Sequence, residues 1–119
     1  ELNPIFVVAP SSNDERLQKV VSAAGGFVYA ASLMGVTGAR NQISNAAETL
    51  VNRVRKFTNL PVCVGLGVST AAQAESVANY ADGVIVGSAF INALNSASDF
   101  KSGVVAVNKL AKELKAGIS

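Results

Sequence analysis

The chain contains no histidine, a single cysteine and few charges for its length, and each shortage removes a class of function. Without histidine, and with one cysteine, no Cys/His metal cluster can be assembled, so metal-dependent chemistry finds no ligand set. Cys63 cannot form a disulfide within the chain; set in an apolar β run, it reads as a buried packing thiol rather than a nucleophile, which suits a reducing compartment. Charged residues make up 15% of the chain while half of it is apolar, a balance that predicts apolar surface covered by something outside these residues. The 10 basic and 8 acidic residues leave a net charge of +2 spread along helices, which argues against nucleic acid and membrane surface as partners. No apolar run approaches ~18 residues and no basic-then-apolar leader is present, so a cytoplasmic protein is expected. The chain opens at Glu1 almost directly on a strand, without an initiator Met, and a missing beginning is expected.

At 119 residues the chain is one domain at most, and its apolar runs recur as strands followed by helices. Pro4–Ala9 is a continuous β-branched run, read as a strand covered on both faces. Ser12 and Glu15 spell a capping box for a helix carrying Leu17, Val20, Val21 and Ala24, stopped by Gly25-Gly26. Phe27–Ala31 predicts a second strand, followed by a loop over Ser32–Ser44 and a helix over Ala47–Phe57. In that helix Arg53, Arg55 and Lys56 suit the negative end of the dipole. Val62–Val64 and Val84–Val86 predict two further strands. A helix capped by Ser69 or Thr70 runs through Ala71–Asn79, and a short helix over Ser88–Leu94 begins directly after the fourth strand. The last helix, started by Ser98 or Asp99, presents Val104, Val107, Leu110, Ala111 and Leu114. Four βα units predict an α/β fold with a parallel sheet and right-handed crossovers.

Loops that follow parallel strands share one face of the sheet, so Gly35, Gly38, Gly65, Gly67 and Gly87 are expected to converge there. Glycine lets backbone amides approach an anion, and Gly87-Ser88 stands at a helix start, where free amides and the dipole favour phosphate. Each glycine alone is equally well explained by a tight turn; the three loops together favour a phosphate site. Tyr29 alternates with Phe27 and Ala31 and points either into that site or into the core. Thr37 and Arg40 sit in the loop after the second strand, with solvent an equal destination for Arg40. The acids fall elsewhere. Glu48, Glu75 and Glu113 lie within helices, Asp82 precedes a strand on the opposite face, Asp99 reads as a cap, and Asp14 and Glu15 suit a first helical turn. No strand ends in a carboxylate or histidine positioned for acid–base work, so no catalytic residue is assigned.

APSSNDERL after the first strand, GFVYAASLMGVTGAR, PVCVGLGVST and ADGVIVGSAFINAL together resemble the C-terminal half of the tryptophan synthase alpha subunit, over nearly the whole chain and most closely its actinobacterial members. The final GSA turn is shared by many phosphate-binding barrels; GVTGAR with GLGVS is more specific. The resemblance implies a (β/α)8 barrel whose strands five to eight are the four seen here, residues 1–119 forming a single half-barrel segment. It implies retro-aldol cleavage of indole-3-glycerol phosphate to indole and glyceraldehyde 3-phosphate, in tryptophan biosynthesis. Gly38, Gly67, Gly87 and Ser88 would hold the phosphate, Thr37 would belong to a loop closing over the site, and Tyr29 would lie beside the substrate. Leu66 stands where many members carry Phe. The family's catalytic Glu and Asp come from the other half, so this segment is expected to be inactive alone and to carry no cofactor. Pyridoxal phosphate belongs to the partner beta subunit, which receives indole through a tunnel. A whole barrel runs to ~250 residues. Two other readings stand beside this one: a non-catalytic phosphate-binding half-barrel that self-associates, and another phosphate-binding barrel enzyme akin to thiamine-phosphate synthase or a phosphoribosyl isomerase, against which GVTGAR argues.

Overall fold

The computed structural model describes residues 2–32, 40–65 and 67–119, and of residues 40–45 only the backbone. Thr37, Gly38 and Leu66 therefore lie outside the described residues, as does the side chain of Arg40. Four strands alternate with helices: β1 (Val7–Val8), α1 (Asp14–Ala23), β2 (Val28–Ala31), α2 (Arg40–Arg55), β3 (Val62–Gly65), α3 (Ala71–Ala78), β4 (Gly83–Ile85), then α4 (Ser88–Asn95) and α5 (Phe100–Ile118). All neighbouring strands are parallel and their order in the sheet is their order in the chain, β1-β2-β3-β4.

Side-chain alternation divides the sheet into two unlike faces. Val8, Val28, Ala30, Val62 and Val64 point to the helices and are fully buried against Leu17, Leu50, Val51, Val54 and Val77. The residues in register Val7↔Tyr29↔Cys63↔Gly83 lie on the opposite face, which no element among the described residues covers. The first strand is therefore not buried on both sides: Val7 is 61% exposed, and Ile5 and Phe6 are also exposed. It is an edge strand of two residues with a single neighbour. Cys63 is likewise half-buried rather than buried. Burial, then the nearby Asp82 carboxylate, pushes its thiol pKa up, which keeps it protonated and unreactive at neutral pH.

Helix starts follow local chemistry, with two corrections. The cap of α1 is Asn13, whose side chain accepts from the Arg16 amide at 2.8 Å; Ser12 instead accepts from the Ala9 amide at 3.2 Å and closes the preceding turn. Helix α2 begins at Arg40, within the stretch read as a loop through Ser44; with no proline or glycine from Arg40 to Arg55, nothing breaks the helix once it has started. Thr70 and Gln73 form a reciprocal capping box on α3, and Asp99 caps α5 through the Ser102 amide.

The α2 arginines also tie neighbouring segments together. Arg53 grips Asp14 at 2.9 Å and the carbonyls of Ser12 and Pro10, fixing the β1–α1 turn. Arg55 binds the Tyr80 carbonyl at 2.8 Å and Asp82 at 3.0 Å, and Asp82 accepts from the Val62 amide at 2.9 Å, joining the starts of β3 and β4. These bonds, the Val62 amide first and Arg55 second, hold the Asp82 carboxyl below the usual range, although burial opposes them. A lowered folded pKa means stability that is present above the unfolded value and lost as pH falls through the folded one. Asp82→Ala is expected to cost about 1 kcal/mol at pH 7, the low end for an acceptor that is half in water. That cost should begin to fade below about pH 4, where the unfolded carboxyl protonates, and go as pH falls through the lower folded value. Urea midpoints at pH 7 and pH 3 check both halves; an equal cost at both would remove the carboxylate from the account.

Candidate phosphate cleft

Three strand ends build one cleft of about 240 Å³ on the uncovered side of the sheet, lined by Tyr29 from β2, Gly67 and Val68 after β3, Ile85 from β4, and Gly87 and Ser88 where α4 begins. Of the candidate residues in the sequence, Tyr29, Gly67, Gly87 and Ser88 are thus brought together; Thr37 and Gly38 lie outside the described residues. Gly67 turns the chain at φ 78°, a left-handed conformation that a side chain disfavours. Two other depressions lie on the helix side. One, of about 250 Å³, is walled mainly by apolar side chains such as Val84 and Phe90. The other, of about 410 Å³, lies between the ends of α3 and α5. Neither is the better candidate, because neither joins residues from the ends of three strands as the cleft at Tyr29, Gly67 and Gly87 does.

The start of α4 differs from the other well-described helix starts. Asn13, Thr70 and Asp99 cap α1, α3 and α5 through their side chains, whereas Gly87 makes no side-chain cap bond. The first helical bonds of α4 run from the Phe90 and Ile91 amides to the Gly87 carbonyl, at 3.0 and 3.4 Å. The amides ahead of them, at the positive end of the helix dipole, are left for a ligand. A methyl group added at Gly87 would meet no atom within 4 Å, so the space over this turn is open.

Gly65, one of the glycines expected to converge on this face, does not itself line the cleft but lies under two residues that do, Tyr29 and Ile85. A Cβ there would stand 2.9 Å from the Tyr29 hydroxyl and 2.9 Å from the Ile85 Cβ. Tyr29 reaches over β3 because Gly65 has no side chain. Strand alternation gives a signal for Ile85 as well, since the register pairs it with Gly65 one row along from Tyr29.

Among the described residues no lining residue is charged, and what they offer a ligand is backbone amides, the Ser88 hydroxyl and the tyrosine. None of the described carboxylates lines the cleft: Asp14 is paired with Arg53, Asp82 with Arg55, and Asp99 accepts from the Ser102 amide, which lowers its pKa. Among the described residues no three His, Cys, Asp or Glu side chains gather as metal ligands. None of their helices is long and apolar enough to cross a membrane.

The sequence profile of the tryptophan synthase alpha chain matches residues 1–119. The chain belongs to the tryptophan synthase alpha-chain family. The alpha chain of Streptomyces avermitilis is 57% identical over 117 residues, covering 98% of this chain and 42% of the relative. That of Mycobacteroides abscessus is 54% identical over 118 residues, covering 99% and 43%. Among solved structures, aminoacrylate-bound tryptophan synthase from M. tuberculosis superposes with a TM-score of 0.80 at 47% identity, over 99% of this chain and 41% of that one. A mutant alpha subunit from the hyperthermophile Pyrococcus furiosus gives 0.78 at 29% identity, over 97% and 45%. The parallel α/β sheet thus matches the alpha-chain barrel fold, and the family is one of lyases in tryptophan biosynthesis. The chain spans about two-fifths of the length of the curated relatives it matches, 42% in the Streptomyces case.

Proposed function

We propose that residues 1–119 are one half-barrel segment of an alpha chain, its C-terminal half with strands five to eight, and that it supplies the phosphate site for retro-aldol cleavage of indole-3-glycerol phosphate. The observation that carries this reading is the meeting of Gly67, Gly87, Ser88 and Tyr29 around an uncharged cleft beneath an uncapped helix start. The phosphate takes the first-turn amides of α4 and the Ser88 hydroxyl, with the dipole favouring its charge. Gly67 lets the opposite wall approach, and Thr37 and Gly38, outside the described residues, are assigned to substrate binding from the family resemblance alone. Tyr29 lies beside the glycerol chain. The cleft's 240 Å³ is below the ~300–1,000 Å³ of pockets that enclose a whole drug-sized ligand. It holds the phosphoglycerol end, and the indole end needs walls from outside these residues.

Cleaving the carbon–carbon bond requires a proton delivered to the indole carbon and one removed from the glycerol hydroxyl, which is general acid–base work. Among the described residues no carboxylate lines the cleft. The catalytic Glu and Asp come from the rest of the barrel, and this segment alone is inactive. It binds no cofactor of its own; pyridoxal phosphate serves the beta subunit, to which indole passes. Titration with glycerol 3-phosphate is expected to bind saturably and to shift the Gly67, Gly87 and Ser88 amide resonances; shifts confined to other residues would remove the site.

One observation favours a second reading, a half-barrel that binds phosphate without turnover and pairs with itself: the sheet face bearing Val7, Tyr29 and Cys63 is uncovered. In sedimentation the purified chain is expected to self-associate or to be partly unfolded, and a folded monomer at low micromolar concentration would count against that reading.

A further inference from the structure

Asp82-Gly83, where the chain enters β4, is a chemically labile pair held still by its surroundings. An aspartyl side chain followed by glycine closes readily into a five-membered imide, because the attacking amide nitrogen has no neighbouring side chain to hinder it. Packing ties this position to glycine: a Cβ at Gly83 would stand 2.8 Å from Cys63 Sγ. Water has access, since the Asp82 side chain is 46% exposed. Hydrogen bonds nevertheless pin the segment to β3 and α2. The Asp82 amide donates to the Val62 carbonyl at 2.9 Å, and its Oδ2 accepts from the Val62 amide at 2.9 Å and from Arg55 Nη2 at 3.0 Å. Arg55 also donates to the Tyr80 carbonyl at 2.8 Å, so one guanidinium grips the chain at Tyr80 and at Asp82. An ion pair this exposed contributes little to stability, but it stands on the one carboxyl of the chain that precedes a glycine.

We propose that Asp82-Gly83 is a site of spontaneous conversion to isoaspartate, and that Arg55, with the Val62 amide, guards it by fixing the carboxyl against β3. In the reaction the Gly83 amide nitrogen bonds to Asp82 Cγ and loses its proton, a carboxyl oxygen leaves as water, and a cyclic imide forms. Water then adds to the imide carbonyl that came from the main chain, and the bond from that carbon to nitrogen breaks. The chain now runs through the former side chain, with the α-carboxylate free. One water is lost and one is gained, so neither mass nor oxidation state changes. Closure requires the carboxyl to leave Val62 and Arg55, and it requires a protonated oxygen as the leaving group. The same two bonds hold the carboxyl ionised, its pKa below the usual range. The product carries an extra main-chain methylene directly before β4, the strand that leads to Ile85, Gly87 and Ser88 in the cleft. The proposal does not depend on the half-barrel reading.

The test ages the purified chain for several weeks at neutral pH. Isoaspartate is then read by mass spectrometry after digestion with an endoproteinase that cuts before aspartate but not before isoaspartate. A free peptide of residues 79–87 gives the unguarded rate. The chain is expected to convert about tenfold more slowly than the peptide, because closure waits for local opening. Arg55→Ala should convert about fivefold faster than the wild type, the effect of losing one charge-assisted bond that is half in water. Arg55→Lys, which keeps the charge but not the forked grip, should fall between the two. Arg53→Ala removes the other ion pair of α2 without touching Asp82 and should leave the rate unchanged, which separates the guard from a general loss of stability. Gly83→Ala combined with Cys63→Ala, which removes the sulfur that the new methyl would meet, should slow conversion below the wild-type rate even beside Arg55→Ala. Circular dichroism checks that each variant is folded. A peptide that stays aspartate, a wild-type chain that converts at the peptide's rate, Arg55 variants that convert no faster than the wild type, or equal acceleration by Arg53→Ala and Arg55→Ala would each overturn the proposal.

Discussion

Gly87→Asp is expected to abolish binding of glycerol 3-phosphate while leaving the fold intact. The first carbon of the new side chain would meet no atom of the described residues within 4 Å, its chain neighbours aside. As the N-cap of α4, a position that lacks a side-chain cap, Asp is also a favourable helix starter. Stability should therefore change by less than ~1 kcal/mol, and in the stabilising direction if the new carboxylate caps the α4 amides. Binding moves the other way. A negative charge ~4 Å from a phosphate costs about 4 kcal/mol at an effective dielectric constant near 20, roughly a thousandfold in affinity. Calorimetric titration beside a thermal melt separates the two effects. A variant that melts like the wild type and still binds glycerol 3-phosphate would take the phosphate away from α4.

The second large effect belongs to Gly65. Gly65→Val is expected to displace Tyr29 and close the floor of the cleft, since even the first carbon of the new side chain would lie 2.9 Å from both the tyrosine hydroxyl and the Ile85 Cβ. Overpacking of this kind costs about 1–3 kcal/mol of stability, and the displaced ring enters the space where the substrate would lie. Tyr29→Phe in the Gly65→Val background removes one of the two clashes, so it should recover part of the lost stability. The Ile85 contact, which includes its carbonyl at 3.2 Å, remains and limits the recovery. A double-mutant cycle by urea denaturation measures the coupling. Strict additivity would mean that Tyr29 does not lie over Gly65.

The reach of the sequence depends on how far apart the interacting residues are. Thr70 with Gln73, and Asp99 with Ser102, are readable because a cap and its amide are three residues apart. Local preference favours Ser12 over Asn13 at α1 because both are good caps and the choice depends on the turn back to Ala9, which such a preference does not weigh. The apolar stripe of α5 is legible, but its buried line is rotated: Val104 and Ala111 are exposed while Gly103 is buried, because α4 can come close only where a side chain is missing. The convergence of glycine loops follows from the parallel topology alone. The Gly65–Tyr29 contact does not, because it depends on the register that pairs Ala31 with Gly65 and Tyr29 with Cys63, 34 residues along the chain in both cases. The uncovered face of the sheet agrees with the low charge content, from which apolar surface covered by something outside these residues is expected.

On the proposed reading this chain holds a phosphate site without the groups that perform the chemistry. Indole release from indole-3-glycerol phosphate, measured with and without an added N-terminal half from the same family, tests it most directly. The account predicts no release from this chain alone and release once the other half is present. Indole from this chain alone would contradict it, and would mean that a carboxylate such as Asp14 or Glu15 reaches the substrate despite standing outside the cleft described here.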